Sequence, residues 1–271
     1  MKINSKFRYE GEWWLPENPE RKINGELEYD GKGIILSLKD DIFQENKNDK
    51  AHTIGANYPN MPIILGKAKE SEVENGISFT LYNLSVIGSD VISGYKYCPH
   101  IVFKGMLFHK KEDIKFKKII ADFSHIGRFF GNFKPPKVLL SPEGLEITYK
   151  KPLPIEISIN SMCKILIKKD FKLKSIPGEV PVLLQEGTTV ETAFPEEKNL
   201  DNSLKFLWLF NSFLSFLIGS IVHPLEIKGY TEENSNNFVE IFYRVFPLIS
   251  ETRSLTSSYL ISYKFGDFFR N

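Results

Sequence analysis

The chain has 271 residues, 25% of them charged and 42% hydrophobic, with 35 Lys and Arg against 34 Asp and Glu. This is ordinary globular composition: it excludes a disordered polyelectrolyte, and the length allows one large β domain or two modest ones. The near-neutral total hides an asymmetry, because residues 101–175 hold 16 Lys/Arg and 7 Asp/Glu, a local +9 that leaves about −8 elsewhere. Such a stretch permits a polyanion-binding face, although lysines alternating along exposed strand sides give the same count.

The chain opens on Phe7, then Gly11-Glu12-Trp13-Trp14-Leu15-Pro16, then Gly25-Glu26-Leu27. From Leu27 to Leu38 the pattern is that of strands broken by Asp30-Gly31-Lys32-Gly33, a glycine-rich hairpin turn. Residues 40–60 are polar and lysine-rich and read as a loop. Met61–Gly66 and Gly76–Leu84 read as strands, with Asn75-Gly76 as the turn between them. Tyr95–His109 is dense in aromatic and β-branched residues, and Phe116–Phe123 alternates as another strand. Ser124–Asn132 reads as a short helix or turn, and Pro135-Pro136 marks a boundary.

Beyond it, Ser141-Pro142-Glu143-Gly144 turns a hairpin between Val138–Leu140 and Gly144–Tyr149. Ile155, Ile157 and Ile159 share one side of a strand at period two. Cys163–Lys169 and Val180–Gln185 extend this second β region. Leu204–Val222 is strongly apolar, with N-cap candidates in Leu200–Ser203 and Pro224 as its stop. At 1.5 Å per residue it would span about 28 Å, close to a bilayer core. Lys205, Ser212, Ser215 and Gly219, however, fall within about 80° of one another, which predicts a helix buried on one side and no membrane span. Val239, Phe242, Tyr243 and Phe246 predict a second helix over Phe238–Leu248, and Tyr259–Phe269 begins a third. The fold expected is mainly β: two β regions, sandwich-like, with C-terminal α-helices, divided as 1–134, 135–198 and 199–271.

The residues that could carry chemistry are scattered. His52, His100, His109, His125 and His223 lie far apart, and Cys98-Pro99-His100 has no second pair to complete a zinc site. No Gly-x-Ser-x-Gly elbow marks a nucleophile. Glu26, Glu28 and Asp30, like Glu70, Glu72 and Glu74, alternate as solvated strand sides do, although paired carboxylates also serve glycoside hydrolysis. Gly31-Lys32-Gly33 lacks the spacing of a phosphate loop. No enzyme, metal or cofactor is expected. Cys98 and Cys163 lack paired spacing and residues 1–6 lack an apolar run, which together point to the cytoplasm. The binding candidates are the lysines Lys110, Lys111, Lys115, Lys117 and Lys118, interleaved with Phe108, Ile114 and Phe116, where phosphate charge and base stacking could combine. The Trp13-Trp14 pair is the other candidate, although aromatics beside Gly11 and Pro16 also plug a sheet edge.

The series Phe7…Gly11-x-Trp13-Trp14-x-Pro16…Gly25-x-Leu27 resembles the N-terminal domain of the ApeA-type anti-phage HEPN proteins. The likeness continues in order through Ile54-Gly55, Ile64-Leu65-Gly66, Phe79-Thr80-Leu81, Val102–Phe108, Tyr149–Ile155 and the Phe206–Pro224 helix. Phe123–Phe129 stands where the family has a leucine and then a tryptophan. The resemblance implies a β-rich sensor or regulatory module that precedes a helical HEPN ribonuclease in abortive infection. Its partners would be a phage component or the HEPN nuclease, with RNA contact as a further expectation. The HEPN signature Arg-x(4–6)-His is matched by none of Arg8, Arg21, Arg128, Arg244, Arg253 and Arg270, so the expectation is a non-catalytic module without its HEPN domain. The competing readings are a carbohydrate- or nucleic-acid-binding β-sandwich and a ribonuclease with an unrecognised site.

Overall fold

A computed structural model describes residues 6–30, 33–43, 63–70, 73–90, 94–123, 126, 137–141, 144–148, 153–159, 163–174, 183–219, 222, 224–232 and 237–243. The expectations for residues 44–60, for Pro135-Pro136 and for Tyr259–Phe269 lie outside them. The chain divides into two compact units, one of residues 1–113 and 241–271, the other of residues 114–240.

The first unit contains β1 (Phe7–Leu15), β2 (Asn18–Tyr29), β3 (Ile34–Leu38), β4 (Ile64–Glu70), β5 (Val73–Asp90) and β6 (Gly94–Lys104). They pair antiparallel in the order β6-β3-β2-β1-β4-β5, and β5 returns to β6. The result is a closed six-stranded barrel. This differs from the sandwich expected for the first region, and the cause is the length of β5. Val73–Leu81 pairs with β4 from Glu70↔Val73 to Ile64↔Leu81, Phe79–Asp90 pairs with β6 from Phe79↔Lys104 to Asp90↔Gly94, and Phe79, Thr80 and Leu81 serve both neighbours. Asn83 interrupts the β6-paired stretch between Tyr82 and Leu84 at φ 56°, a left-handed conformation that asparagine tolerates better than most residues. Asn75-Gly76 is likewise not the turn expected. It lies inside β5, where the register slips between Ala68 and Glu70 and Gly76 takes φ 67°. A Cβ there would meet the Ala68 carbonyl oxygen at 2.6 Å, so the dipeptide forms a bulge that only glycine accommodates well.

Alternation fills the barrel interior. Trp13, Leu27, Tyr29, Leu36, Phe79 and Leu81 are each buried to within 1% of completely, and Ile64 and Val102 join them. Tyr97 donates from its hydroxyl to Asp41 Oδ1 at 3.1 Å at the margin of this core. Burial, then the charge of Asp41, pushes the Tyr97 phenol well above its ordinary range.

The second unit contains β7 (Lys115–Phe123), β8 (Lys137–Ser141), β9 (Gly144–Thr148), β10 (Ile155–Ile159), β11 (Cys163–Lys174), β12 (Leu183–Asn199), α1 (Leu200–Ile218) and β13 (Pro224–Tyr230). Five of its strands pair antiparallel in the order β10-β11-β12-β7-β13, and β8 and β9 form the hairpin expected from Ser141–Gly144. Ile167, Val190, Ala121 and Ile227 lie in one row across the sheet and all are buried. On that face α1 packs against β12 and β7, with Phe210 edge-on to Phe123 and Phe206 edge-on to Phe194.

The helix starts at Leu200, four residues before the apolar run, because Asn199 caps it: its side chain accepts from the Asn202 N–H at 3.0 Å. It ends before the expected Val222, since Gly219 turns left-handed at φ 67°. Leu200, Ser203, Leu207, Phe210 and Leu214 are buried, on the side opposite the predicted stripe of Lys205, Ser212, Ser215 and Gly219.

The helix expected over Phe238–Leu248 is not found in residues 238–243, the part that is described. Val239–Tyr243 is β14, with Val239 and Ile241 buried and Glu240 between them half-exposed, so period two prevails over the helical spacing. Its Phe242 belongs to the first unit, where it meets Phe7 edge-on at 5.0 Å.

Candidate binding surface

The Trp13-Trp14 pair is built into the barrel wall, one ring on each side. Trp13 is 0% exposed inside, against Phe79 at 5.9 Å, and its indole N–H has no hydrogen-bond partner. Room for it comes from Gly66 on the neighbouring β4, where a Cβ would stand 2.1 Å from Trp13 Cε3. Trp14, 8% exposed, packs outside with Ile63, Leu65, Tyr82 and Leu107, and the Lys22 ammonium lies 5.6 Å from its ring centroid. Leu107 is held there through Thr80, whose hydroxyl donates to the Met106 carbonyl and accepts from the Phe108 N–H, both at 2.9 Å. Neither tryptophan offers the open ring face that sugar stacking needs.

The lysine run is divided between the two units. In the first unit Lys110 precedes a short 3-10 turn (Lys111–Asp113), and the Lys111 ammonium lies 5.9 Å from the Tyr82 ring. In the second, Lys115 opens β7, Lys117 donates to the Pro195 carbonyl, and Lys118 lies 4.6 Å from the Tyr230 ring. Phe108, Ile114 and Phe116, the side chains between them, are core residues and supply no stacking platform.

What the second unit does assemble is a face on the side of its sheet away from α1. Strand register sets Tyr230 of β13 opposite Lys118 of β7, and Lys228 opposite Ile120. Lys228 lies 4.5 Å from the Phe238 ring, and Tyr230 and Phe238 are 5.9 Å apart, so two cations and two rings form one group. Across the same face Lys168 pairs with Glu191 at 2.7 Å and Lys164 with Glu156 at 2.8 Å. Burial, and then the charge of Glu191, raises the Tyr230 phenol. No local cue joins Lys118 to Tyr230 in the sequence; only the β7–β13 pairing does. The face is therefore mixed in sign, and the basic surplus of residues 101–175 is partly spent in ion pairs and ring contacts. Phosphate backbones are bound by cations free to replace counterions, whereas alternating charges and aromatic rings suit a protein surface.

Among the described residues the scattered polar groups do not converge. Cys98 and Cys163 are buried and not joined in a disulfide, and His100 Nε2 stands 3.3 Å from Ser85 Oγ. Glu26 pairs with Arg8 at 2.6 Å, which raises the guanidinium further, and Asp30 Oδ1 accepts from the Gly33 N–H in the expected hairpin turn. Among the described residues no group of three or more His, Cys, Asp or Glu could hold a metal ion, and no helix is long and apolar enough to cross a membrane. His52, His125 and His223 lie outside the described residues.

No curated protein and no solved structure matches the chain. A family model described as ApeA N-terminal domain 1 matches residues 8–269, from the first strand of the barrel almost to the last residue. The chain belongs to the ApeA N-terminal domain 1 family, and so to the modules of anti-phage defence.

Proposed function

We propose that this chain is a non-catalytic sensor or regulatory module, which recognises a phage component or a partner protein and controls a HEPN ribonuclease. The family match across residues 8–269 carries this reading. The polar face of the second unit supports a protein as the bound species, because its lysines lie over rings or beside carboxylates. The barrel supports a module whose tryptophans serve packing, which leaves recognition to surfaces that vary without cost to the fold.

The test has two arms. Purified chain incubated with total RNA should leave it intact; turnover that is lost on replacing His100 would overturn the reading. In cells protected by the complete defence system, Lys118→Glu with Lys228→Glu should restore plaque formation while the chain's thermal unfolding stays unchanged. Full protection by that double variant would remove this face from recognition.

A further inference from the structure

The edge of the second unit's sheet is built in a way that exposed edges usually are not. β10 pairs with β11 from Ile155↔Ile167 to Ile159↔Cys163 and ends the strand order. Natural sheets guard such edges with free charge, a proline within the strand or a bulge. Here Pro154 stands before the strand without interrupting it, and the single charge, Glu156, is engaged by Lys164. Ile155 and Ile157 point to the face that α1 covers over β12 and β7, yet they are 38% and 39% exposed, and Leu153 beside them is 86% exposed.

We propose that β10 is a homodimer interface, at which two copies of this chain pair antiparallel about a two-fold axis through Ile157. The strand Ile155-Glu156-Ile157-Ser158-Ile159 is self-complementary in that one register. Ile157 faces Ile157 of the second copy, Ile155 faces Ile159, and Glu156 faces the neutral Ser158. All the isoleucines then share one side of a continuous sheet. Centring the axis on Glu156 would oppose two carboxylates, and centring it on Ser158 would leave fewer pairs. Any odd shift would set apolar side chains beside polar ones, since a one-residue slip exchanges the two sides of a strand. Charge pattern and side-chain period thus select the same partner and the same register.

Light scattering on the purified chain should give a dimer mass that falls to the monomer on dilution. Ile157→Lys, which sets two ammoniums opposite each other and removes two isoleucines from the contact, should weaken dimerisation about tenfold or more with circular dichroism unchanged. Ile157→Cys should form a disulfide-linked dimer on mild oxidation, whereas Glu156→Cys should not, because position 156 faces 158; the native Cys98 and Cys163 are buried. A monomer at every concentration, polydisperse aggregates, or equal cross-linking at 156 and 157 would overturn the proposal.

Discussion

Gly66→Ala tests the packing inside the barrel, because local propensity and tertiary contact pull in opposite directions. In an open strand, alanine in place of glycine gains about 0.5–1 kcal/mol of backbone entropy. At Gly66 the added methyl would stand 2.1 Å from Trp13 Cε3, 2.2 Å from Cζ3 and 2.9 Å from Cδ2. Carbon atoms rest about 3.5–4.0 Å apart, so the indole must retreat by about 1.5 Å. It has nowhere to go, being 0% exposed with Phe79 beside it. Overpacking costs about 1–3 kcal/mol, and a rigid ring belongs at the upper end. The net expected is about 2 kcal/mol of destabilisation, a melting temperature lower by about 4–8 °C for a unit of this size. Thermal and urea unfolding followed by circular dichroism measure it. Gly33→Ala is the control: a Cβ there meets nothing within 4 Å, so stability should hold or rise. In a Trp13→Leu background the Gly66→Ala penalty should largely vanish, a coupling of about 1–3 kcal/mol. An alanine variant as stable as the parent, or a penalty unchanged without Trp13, would refute the argument.

Three further outcomes follow from named contacts. Thr80→Val should cost about 1–3 kcal/mol, because the Phe108 N–H loses its acceptor inside the fold, and faster amide exchange at Phe108 would report it. Asn199→Ala should cost about 1 kcal/mol by removing the α1 cap, with Asn199→Asp retaining most of the stability; equal loss in both would point away from capping. The phenols of Tyr97 and Tyr243 are both pushed above their ordinary value of 10.0, chiefly by burial. The folded state thus keeps protons that the unfolded chain releases. Their contribution is whole below pH 10 and is lost as pH climbs from there toward the folded values. Tyr97→Phe should lessen that alkaline loss, measured as melting temperature against pH.

Strand content was legible in the sequence wherever side chains alternate and turns are marked, as in the Asp30–Gly33 and Ser141–Gly144 hairpins. Closure was not, because nothing in the order of β1 to β6 says that β5 is long enough to serve two partners. Asn75-Gly76 misled for a related reason: the dipeptide that suits a turn also suits a bulge, and only the pairing of β5 with β4, whose register slips between Ala68 and Glu70, tells the two apart. Val239–Tyr243 satisfied both periods, and burial chose the strand. The group of Lys118, Tyr230, Lys228 and Phe238 was out of reach because its members meet only through the β7–β13 register. The lysine run, conspicuous as a string, is shared between two units and tied to rings and a carbonyl.

The most conspicuous residues of this chain are thereby the least informative about its ligand. The run from Gly11 through Trp13-Trp14 to Gly25 and Gly66 encodes an indole held inside a small barrel, and any sequence that keeps this packing keeps the run. A family recognised by it is recognised by its core. What a module of this kind binds has to be written where substitution leaves the core untouched: on the polar side of the second unit's sheet, and along the unguarded strand that borders it. Changes there should alter defence without altering stability. Changes at Trp13 or Gly66 should do the reverse, lowering defence only in proportion to the folded fraction lost.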